Sequence, residues 1–250
     1  MTVDTVALRR LTATELRLFL RERVGPVFGV GFPLLLLVVF GNIPFFSRPG
    51  NGFDGAPLLY AYVPILVAFV AAMLALNALP PVLAGYRERG VLRRLRTTPV
   101  GAVRVLAAQL TITLLSAAVG VVLLLAVARI AFDVPLPHQP AGFAVAAALA
   151  ALALTGIGLF VAAAAPTGRV ANAVGSVLFY VMMFFAGLWL PLDAMPPVLR
   201  RVSEATPLGA AVRALTDASQ GHWPHALQLG ILAAYAVASG LAGARMFRWE

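Results

Sequence analysis

At 250 residues, 61% hydrophobic and only 12% charged, with a mean hydropathy of +0.91, the chain stands far from the roughly 25% charged content of soluble domains and reads as a polytopic membrane protein. Its net charge of +9 and pI near 11.3 would suit a nucleic-acid binder if the basic residues made one patch, but they gather at the ends of apolar runs, as orienting charges do, so nucleic acid is not an expected partner. All 19 basic residues are arginine and cysteine is absent, which excludes a GxxxxGK[ST] phosphate loop, Schiff-base chemistry, disulfides and thiolate metal sites.

The first expected element precedes the first apolar run. Thr12-Ala13-Thr14-Glu15 has the form of a capping box, and Leu11 with Leu16 has the spacing of a hydrophobic staple, so a helix starts at Thr12. Leu16, Phe19 and Leu20 share one face of it and Arg10, Arg17 and Arg21 another, which predicts a helix over 12–23 lying along the membrane interface until Gly25-Pro26 turns the chain inward.

A hydrocarbon core of about 30 Å takes roughly 20 apolar residues per helix. Six segments reach that length with no Asp, Glu, Arg or Lys inside: 26–46, 58–83, 105–128, 142–165, 170–190 and 226–244. The first is too long for a cleavable signal and no Ala-x-Ala site follows it, so a retained anchor is expected. Fourteen of the 19 arginines fall beside one set of span ends, at positions 9, 10, 17, 21, 23, 87, 89, 93, 94, 96, 104, 169, 245 and 248. That set should be cytoplasmic, with both termini on the same side.

The second span carries Pro80-Pro81 near its inner end and Gly85 after it, which predicts a helix break there that releases the next segment sideways. In that segment, 84–99, Val91, Leu92 and Leu95 recur at helical spacing while Arg89, Arg93 and Arg96 line another face, and Pro99 ends the helix. Its five arginines, with Arg104 just beyond, and three ordered apolar positions exceed what orientation alone requires, and a short amphipathic helix across the cytoplasmic side is expected.

Between the fifth and sixth spans, 191–225 is not polar throughout. Asp193 with Met195-Pro196-Pro197 opens one short helix through Arg201, and Thr206-Pro207 supplies the cap and first-turn proline of a second running to about Ala218. Leu208, Ala211, Val212 and Leu215 give the second helix an apolar face, expected to rest on or dip into the outer leaflet. His138, His222 and His225 all lie in expected loops, without the spacing of a zinc hydrolase.

Ion-coupled carriers place carboxylates or histidines at membrane depth, and none of the six spans has one. The polar residues they do hold are neutral, among them Asn77, Gln109, Asn172, Ser176, Tyr180 and Gln228. A chain with neither an ion couple nor a nucleotide site needs a partner to supply free energy, and the basic helix is where one would dock. Aromatic and methionine residues on the fifth span, Phe179 to Phe185 with Met182 and Met183, suit adaptable apolar binding or equally bulk packing against lipid.

Gly85-Tyr86-Arg87-Glu88-Arg89-Gly90-Val91-Leu92-Arg93-Arg94-Leu95-Arg96-Thr97-Thr98-Pro99 resembles the cytoplasmic coupling loop of ABC-2-type exporter permeases, with its (E/R)RE-x-G-x-L-x-x-L-x-x-(T/S)P pattern. Phe185-Ala186-Gly187-Leu188-Trp189-Leu190-Pro191, continuing to Thr206-Pro207, Arg213 and Gly221, is similar to the same family's fifth-span end and outer re-entrant helices. Thr206-Pro207 stands where many relatives have Asn-Pro, which blurs the subfamily and leaves the fold alone.

The resemblance implies an all-α fold: one permease domain over 1–250 with six transmembrane helices, the interfacial helix 12–23, a coupling helix at 84–99 and outer re-entrant helices at 191–225. It implies a transport subunit rather than an enzyme, pairing with a second copy as a homodimer and with two copies of a separate cytoplasmic ABC ATPase. This chain would bind no cofactor, ATP and Mg residing on the ATPase. Coupling would fall to Arg87, Glu88, Arg89, Val91, Leu92, Arg93, Leu95 and Arg96, braced by Glu15, Arg17 and Arg21 of the interfacial helix. Spans 2 and 5 would line a cavity, for which Asn77, Asn172, Ser176, Tyr180, Met183 and Phe184 are the candidates. The drug-efflux permeases of high-GC bacteria are the most similar in character, implying a bacterial plasma membrane and a hydrophobic drug, lipid or lipid-linked glycan as cargo. An unaided facilitator or secondary carrier, a non-transporting scaffold and a membrane enzyme are the competing classes, the last disfavoured by the lack of an acid-base cluster at depth.

Overall fold

The computed structural model describes residues 27–50, 55–91, 102–189 and 195–246. The expected helix 12–23 with Glu15, Arg17 and Arg21, and the coupling residues Leu92, Arg93, Leu95 and Arg96, lie outside them. Every regular element among the described residues is helical. In chain order they are α1 (Phe32–Asn42), entered through a π turn at Val27–Gly31 and followed by a single helical turn at Pro44–Ser47, then α2 (Leu58–Glu88), α3 (Ala102–Phe132), α4 (Pro140–Ala164), α5 (Gly168–Phe185), α6 (Pro197–Ala205), α7 (Pro207–Ser219) and α8 (Ala226–Met246). Helices α2, α3, α4, α5 and α8 are long and apolar enough to cross a membrane, and the first expected span is a shorter apolar helix over Phe28–Asn42. The chain is an all-α polytopic membrane protein.

Helix α2 is the axis of the bundle. From Tyr62 to Ala72 every residue is buried, as a helix apolar on all sides must be when protein rather than lipid surrounds it. Phe40 and Phe46 stack with ring centroids 4.6 Å apart and both meet the Tyr62 ring edge-on, which holds α1 against the start of α2. Deeper along α2, Phe69 takes the Phe179 ring of α5 in a T-shaped contact at 5.0 Å.

The break expected at Pro80-Pro81 does not occur. Helix α2 runs through both prolines to Glu88, and the chain turns only at Arg89–Gly90, where Gly90 adopts φ +66°. The reason lies one turn earlier, where Met73–Ala78 winds as a π helix and leaves the prolines in the first turn of the renewed α segment. A proline's fixed φ is tolerated there. What the prolines do leave is the Leu76 carbonyl without its α-helical donor, four residues before Pro80. Glycines meet this stretch of backbone: a Cβ at Gly175 of α5 would collide with the Leu76 carbonyl oxygen, and one at Gly158 of α4 with that of Ala75. At the π segment the backbone of α2 is therefore closely approached by both α4 and α5.

Helices α4 and α8 also pack through small residues, with Gly156 against Ala236, Ser239 and Gly240, and Gly243 against Leu159. Such contacts let backbones approach where the hydrophobic effect gives no drive.

Two of the outer expectations meet different outcomes. Thr206 caps α7 as expected, its Oγ1 accepting from the Gly209 amide at 3.1 Å. The apolar face of α7 does not rest on a leaflet, however: Leu208, Ala211, Val212 and Leu215 are all buried, and Ala210 and Ala211 pack with Ala150, Ala153 and Leu232. With Ser219 near the α3–α4 connection, where the His138 and Gln139 amides donate to the Ser219 and Ala218 carbonyls, α7 runs within the bundle toward that connection. Neighbouring helices offered more apolar surface to that face than the bundle rim could, and packing won over interfacial float.

Candidate functional site

Two places gather the residues singled out by sequence. The first is the end of the bundle where α2 stops, α5 begins and the basic segment leaves. Tyr86 through Val91 are described there, and Ala84, Ala165 and Ala171 pack together beneath them. Small residues make this seam possible, since a Cβ on Gly168 would stand 3.1 Å from the Pro81 carbonyl and 3.6 Å from Gly85.

Arg87 and Glu88, adjacent in sequence, reach across the seam to opposite helix termini. The Arg87 guanidinium donates through Nη1 to the Ala163 carbonyl at 3.0 Å and through Nη2 to the Ala165 carbonyl, at the C-terminus of α4. The Glu88 carboxylate accepts from the Gly168 amide at 3.0 Å, at the N-terminus of α5. Helix C-termini end in carbonyls with no intrahelical donor and carry partial negative charge; N-termini end in free amides and carry partial positive charge. Each side chain therefore meets a helix end of complementary sign. Thr167 completes the turn by accepting from the Val170 amide at 3.2 Å, the N-cap of α5.

Arg89 turns back over the Tyr86 ring, its guanidinium carbon 5.8 Å from the centroid, and Gln109 of α3 donates to the Tyr86 hydroxyl at 3.5 Å. The C-terminal end of α2 is thus joined to α3, α4 and α5. Val91 lies beyond Gly90, half-buried, where helix resumes.

The second place is the α5 face beside the π segment. Ala171, Gly175, Phe179 and Met183 repeat every four residues and form the buried stripe of α5. Asn172, Ser176, Tyr180 and Phe184 repeat at the same interval one position on, so they form a single ridge along the edge of that stripe. Ser176 donates to Asn77 Oδ1 at 2.8 Å, and Asn77 Nδ2 points to Met73 Sδ at 3.5 Å. Asn172 is exposed, Tyr180 is 64% exposed and Phe184 38%. Met183 is buried in the core instead. Five of the six cavity candidates are thus neighbours along one edge, and the sixth packs behind them.

Sequence reading missed the partner of Arg87 and Glu88, the turn 164–168. Its only signal was Pro166-Thr167-Gly168, which marks a cap and says nothing of what docks on it.

The family model described as ABC-2 type transporter matches residues 6–218, well over half of the chain and including both places. No curated protein matches the chain.

Proposed function

Since the chain belongs to the ABC-2 type transporter family, of which it is a membrane permease component, we propose that it is the transmembrane half of an exporter driven by a separate ATPase. In this reading two copies pair in the membrane and two cytoplasmic ABC ATPase subunits, carrying ATP and Mg, dock beneath them. The end of the bundle bearing Arg87 to Val91 faces the cytoplasm, in keeping with its excess of arginine. The segment beyond Gly90 is the docking element, with Val91, Leu92, Arg93, Leu95 and Arg96, and Arg89 at the turn before it, available to the ATPase, braced by the segment holding Glu15, Arg17 and Arg21. Arg87 and Glu88 are occupied by the 164–168 turn.

Cargo passes along the ridge of Asn172, Ser176, Tyr180 and Phe184 with Asn77 at its side. Its mixture of two amides, hydroxyls and aromatic rings suits an amphiphile with a large apolar part, such as a hydrophobic drug, a lipid or a lipid-linked glycan, moved outward across a bacterial plasma membrane. Family membership over 6–218 is the observation that carries this reading.

The test is purification of the full chain with its co-expressed ATPase, followed by reconstitution. ATP hydrolysis is expected only in the presence of the ATPase, and Leu92→Asp should reduce ATPase retention about tenfold or more by burying a charge in the docking face. Vesicles of the isolated chain that pump a lipophilic dye down an ion gradient would overturn the proposal.

A further inference from the structure

Coupling requires that motion of the docking segment reach the helices that handle cargo. The described residues contain a direct polar link suited to this. Arg87 and Glu88 sit immediately before the Arg89–Gly90 turn from which the docking segment departs, and they hold both ends of the α4–α5 turn. Helix α5 begins at Gly168, in that grip, and carries the Asn172–Phe184 ridge. The contact is side chain to backbone at both ends, and the turn's own backbone is pressed against Gly85 and Pro81 through Gly168.

We propose that Arg87 and Glu88 are positioning residues forming a two-ended clamp, which makes the 164–168 turn and α5 follow whatever displaces the segment beyond Gly90. The proposal rests on the transporter reading for the source of that displacement, but the clamp itself is a property of this chain alone. Its sign pattern is directional. Arginine serves the carbonyl end of α4 and glutamate the amide end of α5, so exchanging the two side chains conserves net charge and ruins both contacts.

Two measurements test it. In the first, the full chain in lipid nanodiscs is followed by amide hydrogen exchange over the peptide holding 164–170. Exchange at Gly168 should rise about tenfold or more in Glu88→Ala and in the swapped variant Arg87→Glu with Glu88→Arg, and less in Glu88→Gln, which keeps an acceptor. Unchanged exchange in all three overturns the clamp, whatever the chain's function.

In the second, the absence of native cysteine allows a single reporter, Tyr180→Cys, on the exposed ridge. Its labelling rate by a maleimide is compared with and without ATP and vanadate in the complex with the co-purified ATPase. Arg87→Ala and Glu88→Ala should retain the ATPase and hydrolyse ATP within about twofold of the parent while the nucleotide-dependent change in labelling shrinks about tenfold, and Arg87→Lys should restore part of it. Loss of ATPase retention in these variants would make the pair a docking contact, and an undiminished labelling response would make it inert; either result overturns the proposal. A parent chain that retains no ATPase would instead sink the functional reading, leaving the exchange measurement to decide the clamp.

Discussion

Ser176 of α5 donates a 2.8 Å hydrogen bond to Asn77 of α2, at the end of the π segment and beside the close approach of Gly175 to the Leu76 carbonyl. Removing the hydroxyl leaves the Asn77 oxygen without that donor. Ser176→Ala and Asn77→Ala should each lower thermal stability in detergent, with a coupling energy of about 0.5–1.5 kcal/mol in a double-mutant cycle, the range of interhelical polar pairs in membranes. A coupling energy near zero would show that the pair contributes nothing to holding α2 and α5 together.

Gly158 and Gly175 are expected to be the least replaceable glycines of the spans. A methyl group at either would meet a carbonyl of the π segment, which is backbone and cannot rotate away. Gly158→Ala and Gly175→Ala should each cost about 1–3 kcal/mol by overpacking, whereas Gly230→Ala, whose methyl group meets open space, should be neutral or slightly stabilising. Thermal melting of the three variants in one detergent gives the comparison.

At the corner between α6 and α7 three short-range contacts lock the chain. Ser203 donates to the Phe185 carbonyl, Thr206 donates to the Ser203 carbonyl at 2.7 Å, and the Gly209 amide donates to Thr206 at 3.1 Å. Thr206→Ala should cost about 1 kcal/mol through loss of the cap. Thr206→Asn should match the parent within error, because an Asn side chain accepts the same amide bond. Equal losses in both would show that the cap is not what matters at this position.

Asp217 is buried on α7, 3.7 Å from Arg213 one turn earlier, and its Oδ2 has no hydrogen-bond partner among the described residues. Arg213→Met would keep the apolar stem and strand the carboxylate. A loss of about 1–3 kcal/mol is expected. Adding Asp217→Asn should recover part of it, since the neutral amide has less to lose on burial. Chemical denaturation of the single and double variants in mild detergent measures the difference, and a double variant worse than the single would refute the account.

Much of the architecture could be read before any coordinates. Length without charge marked five of the spans to within about five residues at each end, because a 30 Å apolar layer leaves a helix little choice of composition, while the first expected span forms a shorter apolar helix over Phe28–Asn42. Thr206-Pro207 announced its own cap for a similar reason: capping is local, completed within four residues. The proline pair misled because a proline's effect depends on the register of the preceding turn, and the π segment that absorbs Pro80-Pro81 has no signature in Met73-Leu74-Ala75-Leu76-Asn77-Ala78.

What the chain determined by itself was therefore where helix is compulsory, which ends are basic and which segments are amphipathic, all matters of near neighbours and solvent. Tertiary structure alone decided that Arg87 and Glu88 serve the ends of two other helices, that Asn77 meets Ser176, and that α7 is buried rather than floating. Those contacts join residues far apart along the chain. An arginine flanking a span has the same local preferences whether it meets a lipid phosphate, an ATPase or the carbonyl end of α4, and only the packing of α2 against the 164–168 turn selects among them.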